Sequence, residues 1–126
     1  MALKVVLKPF ERIIIGKSLI TNSETRTTFL IDGEAPILRE KDILTAETAN
    51  TPVKRLYLCV QMMYLENDIP KYQDLYMGFV KDLLEAAPSF RTSIETASKL
   101  ILSGSLYGSL KEIRKLIGRE EEFLRR

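Results

Sequence analysis

The sequence predicts an α+β fold in which a small antiparallel β module comes first and about four helices follow. Short runs rich in β-branched residues, separated by turn signals, fill the first third of the chain and do not recur later. From Pro52 onward, apolar residues recur at three- and four-residue steps, with proline or glycine at the breaks. We therefore expect a β module over residues 1–44, a polar linker over 45–51 and a helical region over 52–126.

The β module is centred on Ile13–Ile15, which stands between Pro9 and the turn pair Gly16-Lys17. Isoleucine is stiff at its first side-chain torsion and fits a pleated, half-buried surface. Further strand candidates are residues 2–7, 18–21 and 26–31, separated by the turn residues 22–25 and 32–33. Ile37-Leu38 should end the sheet, and the charged run 39–42 should form a solvated bend or a short helical turn.

The first helix is expected from Pro52 to about Glu66, with Thr51 as its cap. It is nearly apolar all round, which predicts burial on most sides, either in a core or at a subunit interface. A second helix follows residues 67–70 and is the most clearly amphipathic segment. Its stripe would be core or a surface for a partner helix, and its members are Tyr72, Leu75, Tyr76, Phe79, Val80, Leu83 and Leu84.

Pro88-Ser89 should cap a third helix, and Ser103-Gly104 should close it. Its expected inner face consists of Phe90, Ile94, Ala97 and Ile101. A fourth helix should begin near Leu106, with a stripe of Tyr107, Leu110, Ile113 and Ile117. Because Gly118 weakens it and charges follow, we expect the tail 119–126 to be a frayed, solvent-exposed end.

Composition narrows the classes of function. A net charge of only +2 excludes a protein that coats nucleic acid by bulk charge. The chain has no histidine, no metal-ligand spacing and no glycine-rich phosphate loop, and Cys59 among apolar neighbours indicates a small buried side chain. No leader pattern and no membrane-spanning apolar run are evident. We expect a cytoplasmic binding protein that is not an enzyme, uses no cofactor and does not enter a membrane.

Cations are concentrated near the start. Residues 1–31 contain five Lys or Arg against two Glu. Strand alternation should turn Lys4 and Arg12 outward. The surface could be an ordinary solvated sheet face or a surface for RNA phosphates, and the candidate contacts are Lys4, Lys8, Arg12 and Arg39.

Motifs along nearly the whole chain resemble the FlbT family of flagellin post-transcriptional regulators. They are residues 1–5, 7–16, 20–22, 35–45, 51–55, 63–66, 74–76, 86–88 and 101–107. The resemblance implies binding to the 5′ leader of flagellin mRNA, which changes its translation or decay, with repression in some members and activation in others. It also implies work alongside a second small protein, FlaF. Phe10 departs from the pattern because the family's Lys-Pro turn usually carries glycine there, so we expect a different turn type.

A shorter stretch is similar to the RNA-binding regulator CsrA, namely Lys8-Pro9-x-Glu11-x-Ile13-x-Ile15-Gly16 with Ala35-Pro36 and Arg39-Glu40 downstream. That similarity implies an interlocked β dimer holding RNA on its first and last strands, with Lys8 and Arg39 as the matching positions. We expect a homodimer, since short strands such as Ile13–Ile15 or Phe29–Ile31 would leave bare edges. Two alternatives remain: a monomer whose helices wrap the sheet, and an adaptor or chaperone-like module for FlaF or flagellin.

Overall fold

The computed structural model describes residues 2–125 and confirms the α+β class. Its strands are Leu3–Leu7 (β1), Arg12–Ile15 (β2), Ser18–Thr21 (β3), Thr27–Ile31 (β4) and Ile37–Arg39 (β5). Its helices are Pro52–Glu66 (α1), Ile69–Ala86 (α2), Arg91–Leu102 (α3) and Leu106–Leu124 (α4). The chain divides into two compact units, one ending at Ile43 and the other beginning at Leu44.

The first unit, here called the β unit, contains two small antiparallel sheets. β1 pairs with β4, and β2 lies between β3 and β5. Alternate residues of both sheets enter one hydrophobic core, as strand periodicity requires. This core consists of Val5, Leu7 and Ile13, with Ile15, Phe29, Ile31 and Ile37 packed against it.

The sheet order corrects the expectation of a bare edge at Ile13–Ile15 and agrees with it at Phe29–Ile31, which lies in β4 of the two-stranded sheet. Ile13–Ile15 belongs to β2, the central strand, so it has a neighbour on both sides. The outer strand beside it is β3, and all four of its residues are exposed. The charged run after β5 forms the expected short 3-10 turn over Glu40–Asp42, although Asp42 is buried rather than solvated.

The second unit, here called the helical unit, is organised around α1. The Thr51 side chain accepts a hydrogen bond from Lys54 N, and the helix ends at Asn67 in a left-handed conformation, as the cap signals predict. α1 packs against both α2 and α4, which explains why it is apolar nearly all round. Residues 45–51 are held by hydrogen bonds between Thr45 and Thr48, and Ala49 is buried.

Two expectations about the middle helices need correction. On α2 the buried residues are Tyr76, Val80 and Leu83, whereas Leu75 of the predicted stripe is exposed. Pro88–Phe90 forms a 3-10 turn, and no side chain caps the start of α3, so Ser89 is not the cap. The predicted inner face of α3 is confirmed, since Phe90, Ile94, Ala97 and Ile101 are buried.

The predicted frayed tail is wrong. α4 continues through Gly118 to Leu124, and Glu120 is buried. The Arg119 guanidinium lies 5.2 Å from the centre of the Phe90 ring, and Phe123 meets that ring edge-on at 5.9 Å. The last turns therefore pack as part of the helical unit. The buried stripe of α4 also differs from the predicted one, because Leu116 is buried while Tyr107 is exposed.

Candidate nucleic-acid interface

The connection between β1 and β2 is a tight turn of Lys8, Pro9, Phe10 and Glu11, here called the Phe10 turn. Glu11 N donates a hydrogen bond to Lys8 O at 3.1 Å, and Phe10 has a φ of +63°. Proline at the second position and positive φ at the third describe a type II turn, which normally takes glycine at the third position. The expectation that Phe10 would change the turn type is therefore wrong. An L side chain in this conformation costs about 1–2 kcal/mol.

Hydrogen bonds from both sides hold the strained turn. Phe10 N donates to Ser23 O at 2.9 Å, and Asn22 N donates to Glu11 O at 2.9 Å. The Glu11 carboxylate returns to the start of the turn, where its Oε1 accepts from Lys8 N at 2.9 Å. These contacts fix the backbone on either side of Phe10, so the chain cannot relax the residue without losing them.

Asn22 is the polar centre of this end of the β unit. Its Nδ2 donates to the carbonyls of Lys8 at 2.8 Å, Thr25 at 3.0 Å and Leu7 at 3.3 Å. Its Oδ1 accepts from Thr27 Oγ1 and from Ser23 N, each at 2.9 Å. A buried amide with both ends satisfied specifies the path of the chain. The sequence pattern places Asn22 only in a turn, because it carries no sign of these partners.

The Phe10 ring points into solvent. Phe10 is 65% exposed, the highest exposed fraction of any aromatic residue among residues 2–125. The ring borders a shallow cavity of about 320 Å³, here called the Phe10 cavity. The cavity is lined by Lys8, Pro9, Phe10, Glu11, Glu40 and Lys41. It combines one bare aromatic ring with two lysines and two carboxylates.

One of those carboxylates is already engaged inside the unit. Arg39 Nη2 donates to Val6 O at 2.8 Å and lies 3.5 Å from Glu11 Oε2. The hydrogen bond from Lys8 N, followed by the charge and hydrogen bond of Arg39, lowers the pKa of Glu11 below its ordinary value of 4.5, although partial desolvation opposes them. Arg39 thus links β5 to β1 and to the Phe10 turn, so its side chain has a structural role.

The four predicted contact residues do not lie together on one strand face. Lys4 is exposed and opposite Leu30, on the face of its sheet away from the core, while Arg12 is exposed on the other sheet. Lys8 lines the Phe10 cavity, and Arg39 reaches the same region through Glu11. Contact of these four residues with RNA stays a prediction.

Lys41 and the ring of Phe10 belong to this site but were not predicted from the sequence. Lys41 stood in an alternating charge run that is typical of a solvated bend, so its place beside Lys8 could not be read from spacing. Phe10 did carry a signal, because an aromatic residue stood where the turn requires positive φ. The β unit as a whole is nearly balanced, with seven Lys or Arg against six Asp or Glu over residues 1–43. An anion site here must therefore be local.

Other kinds of site find less support among residues 2–125. No group of three or more Cys, Asp or Glu side chains there is arranged to hold a metal ion. None of the described helices is both long and apolar enough to cross a membrane.

The chain matches the family model described as "Flagellar protein FlbT" over residues 3–124. It is 75% identical to the probable flagellum biosynthesis repressor protein FlbT of Rhodopseudomonas palustris strain TIE-1, over the full length of both chains. It is 54% identical to the probable flagellum biosynthesis repressor protein FlbT 1 of Bradyrhizobium diazoefficiens, covering 97% of this chain and 84% of the relative.

A more distant relative is the flagellum biosynthesis repressor protein FlbT of Caulobacter vibrioides strain ATCC 19089. It is 32% identical, with 98% of this chain and 90% of the relative covered. No solved structure matches the chain significantly. The family match and the full-length relatives confirm the resemblance found in the sequence, and the chain belongs to the FlbT family of flagellar proteins.

Proposed function

We propose that this protein is an RNA-binding regulator of flagellin synthesis in the cytoplasm, which binds the 5′ leader of flagellin mRNA and represses its use. Full-length relatives that are named flagellum biosynthesis repressors support the regulatory role. The Phe10 cavity supports RNA as the ligand, and it is the observation on which the proposal depends. It offers two lysines for phosphate and an exposed ring for a base.

The test is binding of a flagellin leader and of a scrambled leader, measured by fluorescence anisotropy over a series of salt concentrations. Wild-type protein should prefer the flagellin leader. Lys8→Ala and Lys41→Ala should each weaken binding and reduce the slope of log affinity against log salt by about 0.7. Lys81→Ala is the matched control, since Lys81 is an exposed lysine on α2. Equal binding of both leaders at moderate salt would rule out specific recognition.

The same series tests the predicted contacts Lys4, Arg12 and Arg39. If Lys4 or Arg12 touches phosphate, its alanine variant should weaken binding of both leaders and reduce the salt slope, without changing the preference for the flagellin leader. Arg39→Ala needs a stability measurement beside it, because its side chain holds Val6 O and Glu11. Loss of RNA binding in a folded Arg39→Lys variant would separate recognition from structure.

A second candidate function is a protein-interaction adaptor that acts with FlaF or flagellin. It is favoured by an apolar groove of about 290 Å³ lined by α1, α2 and α3, whose rim residues Met77 and Leu102 are 55% and 86% exposed. Leu102→Asp should abolish capture of purified flagellin or FlaF in nuclease-treated samples, and Glu121→Ala should not. Failure of the nuclease-treated wild type to capture either protein would remove this candidate.

The proposal includes a homodimer, for which β3 is the best-suited edge. Ser18–Thr21 has no proline and no charge, and Leu19 and Ile20 are 56% and 39% exposed. Antiparallel pairing of β3 with the β3 of a second copy would satisfy both edges. Ile20→Lys should give monomers in light scattering, whereas Leu30→Lys on β4 should not. A wild-type species of 14.4 kDa at micromolar concentration would refute the dimer.

A further inference from the structure

The Phe10 side chain has no evident role in folding. Its backbone is in a left-handed conformation that favours glycine and disfavours bulky residues, and Phe10 is 65% exposed. The core of the β unit is made by other residues, among them Val5, Leu7 and Ile13. A residue that is strained and also exposed stabilises neither the turn nor the core, so its use is expected outside the fold.

The surroundings of the ring favour a nucleic acid over an apolar protein segment. Lys8 and Lys41 line the cavity beside it, and the Glu11 carboxylate is engaged with Lys8 N and Arg39. Glu40, the other carboxylate, can accept hydrogen bonds from the amino groups of adenine, cytosine or guanine. A flat ring beside cations and one free acceptor matches a base with its two flanking phosphates.

We propose that the Phe10 ring is a stacking platform for one unpaired RNA base, with Lys8 and Lys41 binding the phosphates beside that base. The proposal rests on the proposed function and adds to it the class of RNA: a single-stranded segment, not a duplex. The strained turn holds the ring away from the core, so the ring is presented to a ligand before binding.

The chain contains no tryptophan, so Phe10→Trp gives one fluorescent reporter at the site itself. We expect a short single-stranded oligoadenylate to quench its emission in a saturable way. A strand of the same length without bases should quench far less, because it offers phosphates only. Leu75→Trp is the control, since Leu75 is 52% exposed on α2 and is not among the proposed RNA contacts, and its emission should not change.

Phe10→Gly removes the aromatic ring without straining the turn. We expect roughly 5- to 150-fold weaker binding of the flagellin leader with an unchanged salt slope, while Phe10→Tyr keeps the affinity. Circular dichroism should show all four variants folded. Equal quenching of the two tryptophan variants, or wild-type affinity in a folded Phe10→Gly protein, would overturn the stacking proposal.

The outcomes separate this inference from the proposed function. If Phe10→Gly still prefers the flagellin leader as strongly as wild type, stacking is refuted and RNA regulation stands. If wild-type protein binds no leader, both are refuted. A blue shift of the Phe10→Trp emission on addition of purified flagellin, without quenching by RNA, would assign the ring to a protein contact and also overturn the inference.

Discussion

Glu120 links α4 to the first turn of α1, and Glu120→Ala should therefore destabilise the helical unit strongly. Its carboxylate is buried, with Oε2 accepting from Val53 N at 3.0 Å and Oε1 accepting from the Thr51 hydroxyl. Thr51 Oγ1 in turn accepts from Lys54 N at 3.2 Å. Glu120 thus satisfies the free N–H of Val53, supports the cap residue Thr51 and places a negative charge at the positive end of that helix.

The magnitude follows from the bonds that are lost. A hydrogen bond to a charged group contributes about 1.5–3 kcal/mol, and the buried Val53 N–H would be left without its acceptor. Removing a buried carboxylate also removes its desolvation cost, which offsets part of this loss. We expect a net decrease in the free energy of unfolding of about 2–4 kcal/mol, or a fall in melting temperature of roughly 10 °C.

Urea unfolding followed by far-ultraviolet circular dichroism measures the effect, because the helices dominate the signal. Glu120→Gln should be intermediate, since an amide keeps one acceptor but loses the charge. Glu121→Ala, on the exposed side of the same turn, is the control. The reasoning is refuted if Glu120→Ala lies within about 0.5 kcal/mol of that control.

Four further changes test other parts of the structure. Asn22→Asp puts a carboxylate against three carbonyls and should cost about 3 kcal/mol in urea unfolding, whereas Ser23→Ala should cost little. The lowered pKa of Glu11 stabilises the fold at neutral pH, and this stability is lost as pH falls below 4.5 through the folded pKa. In Glu11→Gln, the midpoint of urea unfolding should therefore fall less steeply with decreasing pH than in the wild type. Burial raises the pKa of Cys59 to about 11, so iodoacetamide at mildly alkaline pH should modify it slowly in native protein and quickly in urea. Phe10→Gly should raise the free energy of unfolding by about 1 kcal/mol, and no gain would show that the turn is not strained.

The elements could be predicted because their signals are local. Thr51-Pro52 specifies the start of α1 within two residues, and the cap bond to Lys54 N forms as expected. Strand runs bounded by turn residues gave β1 to β5 nearly to the residue. Such a fold can be predicted because the cap residues, the turn residues and the apolar periodicity agree at each element.

The tail and the site could not be predicted because their partners are distant in sequence. Glu120 contacts Thr51, 69 residues earlier, and nothing in the run of charges around it marks one glutamate as buried. Arg39 donates to Val6 O, 33 residues earlier, and no feature of the sequence indicates this structural contact. Charged residues near the end of a helix look alike in sequence, and only packing decides which of them enters the core.

The remaining positions with positive φ show what is unusual about Phe10. Among the described residues they are glycines, such as Gly16 and Gly104, apart from Asn67 at the end of α1, where asparagine is well tolerated. This chain therefore uses the unstrained solution wherever the backbone alone sets the requirement. At position 10 it keeps a large aromatic ring that buries little surface. Folding does not account for an aromatic residue at this turn, whereas a ligand that stacks on the ring does.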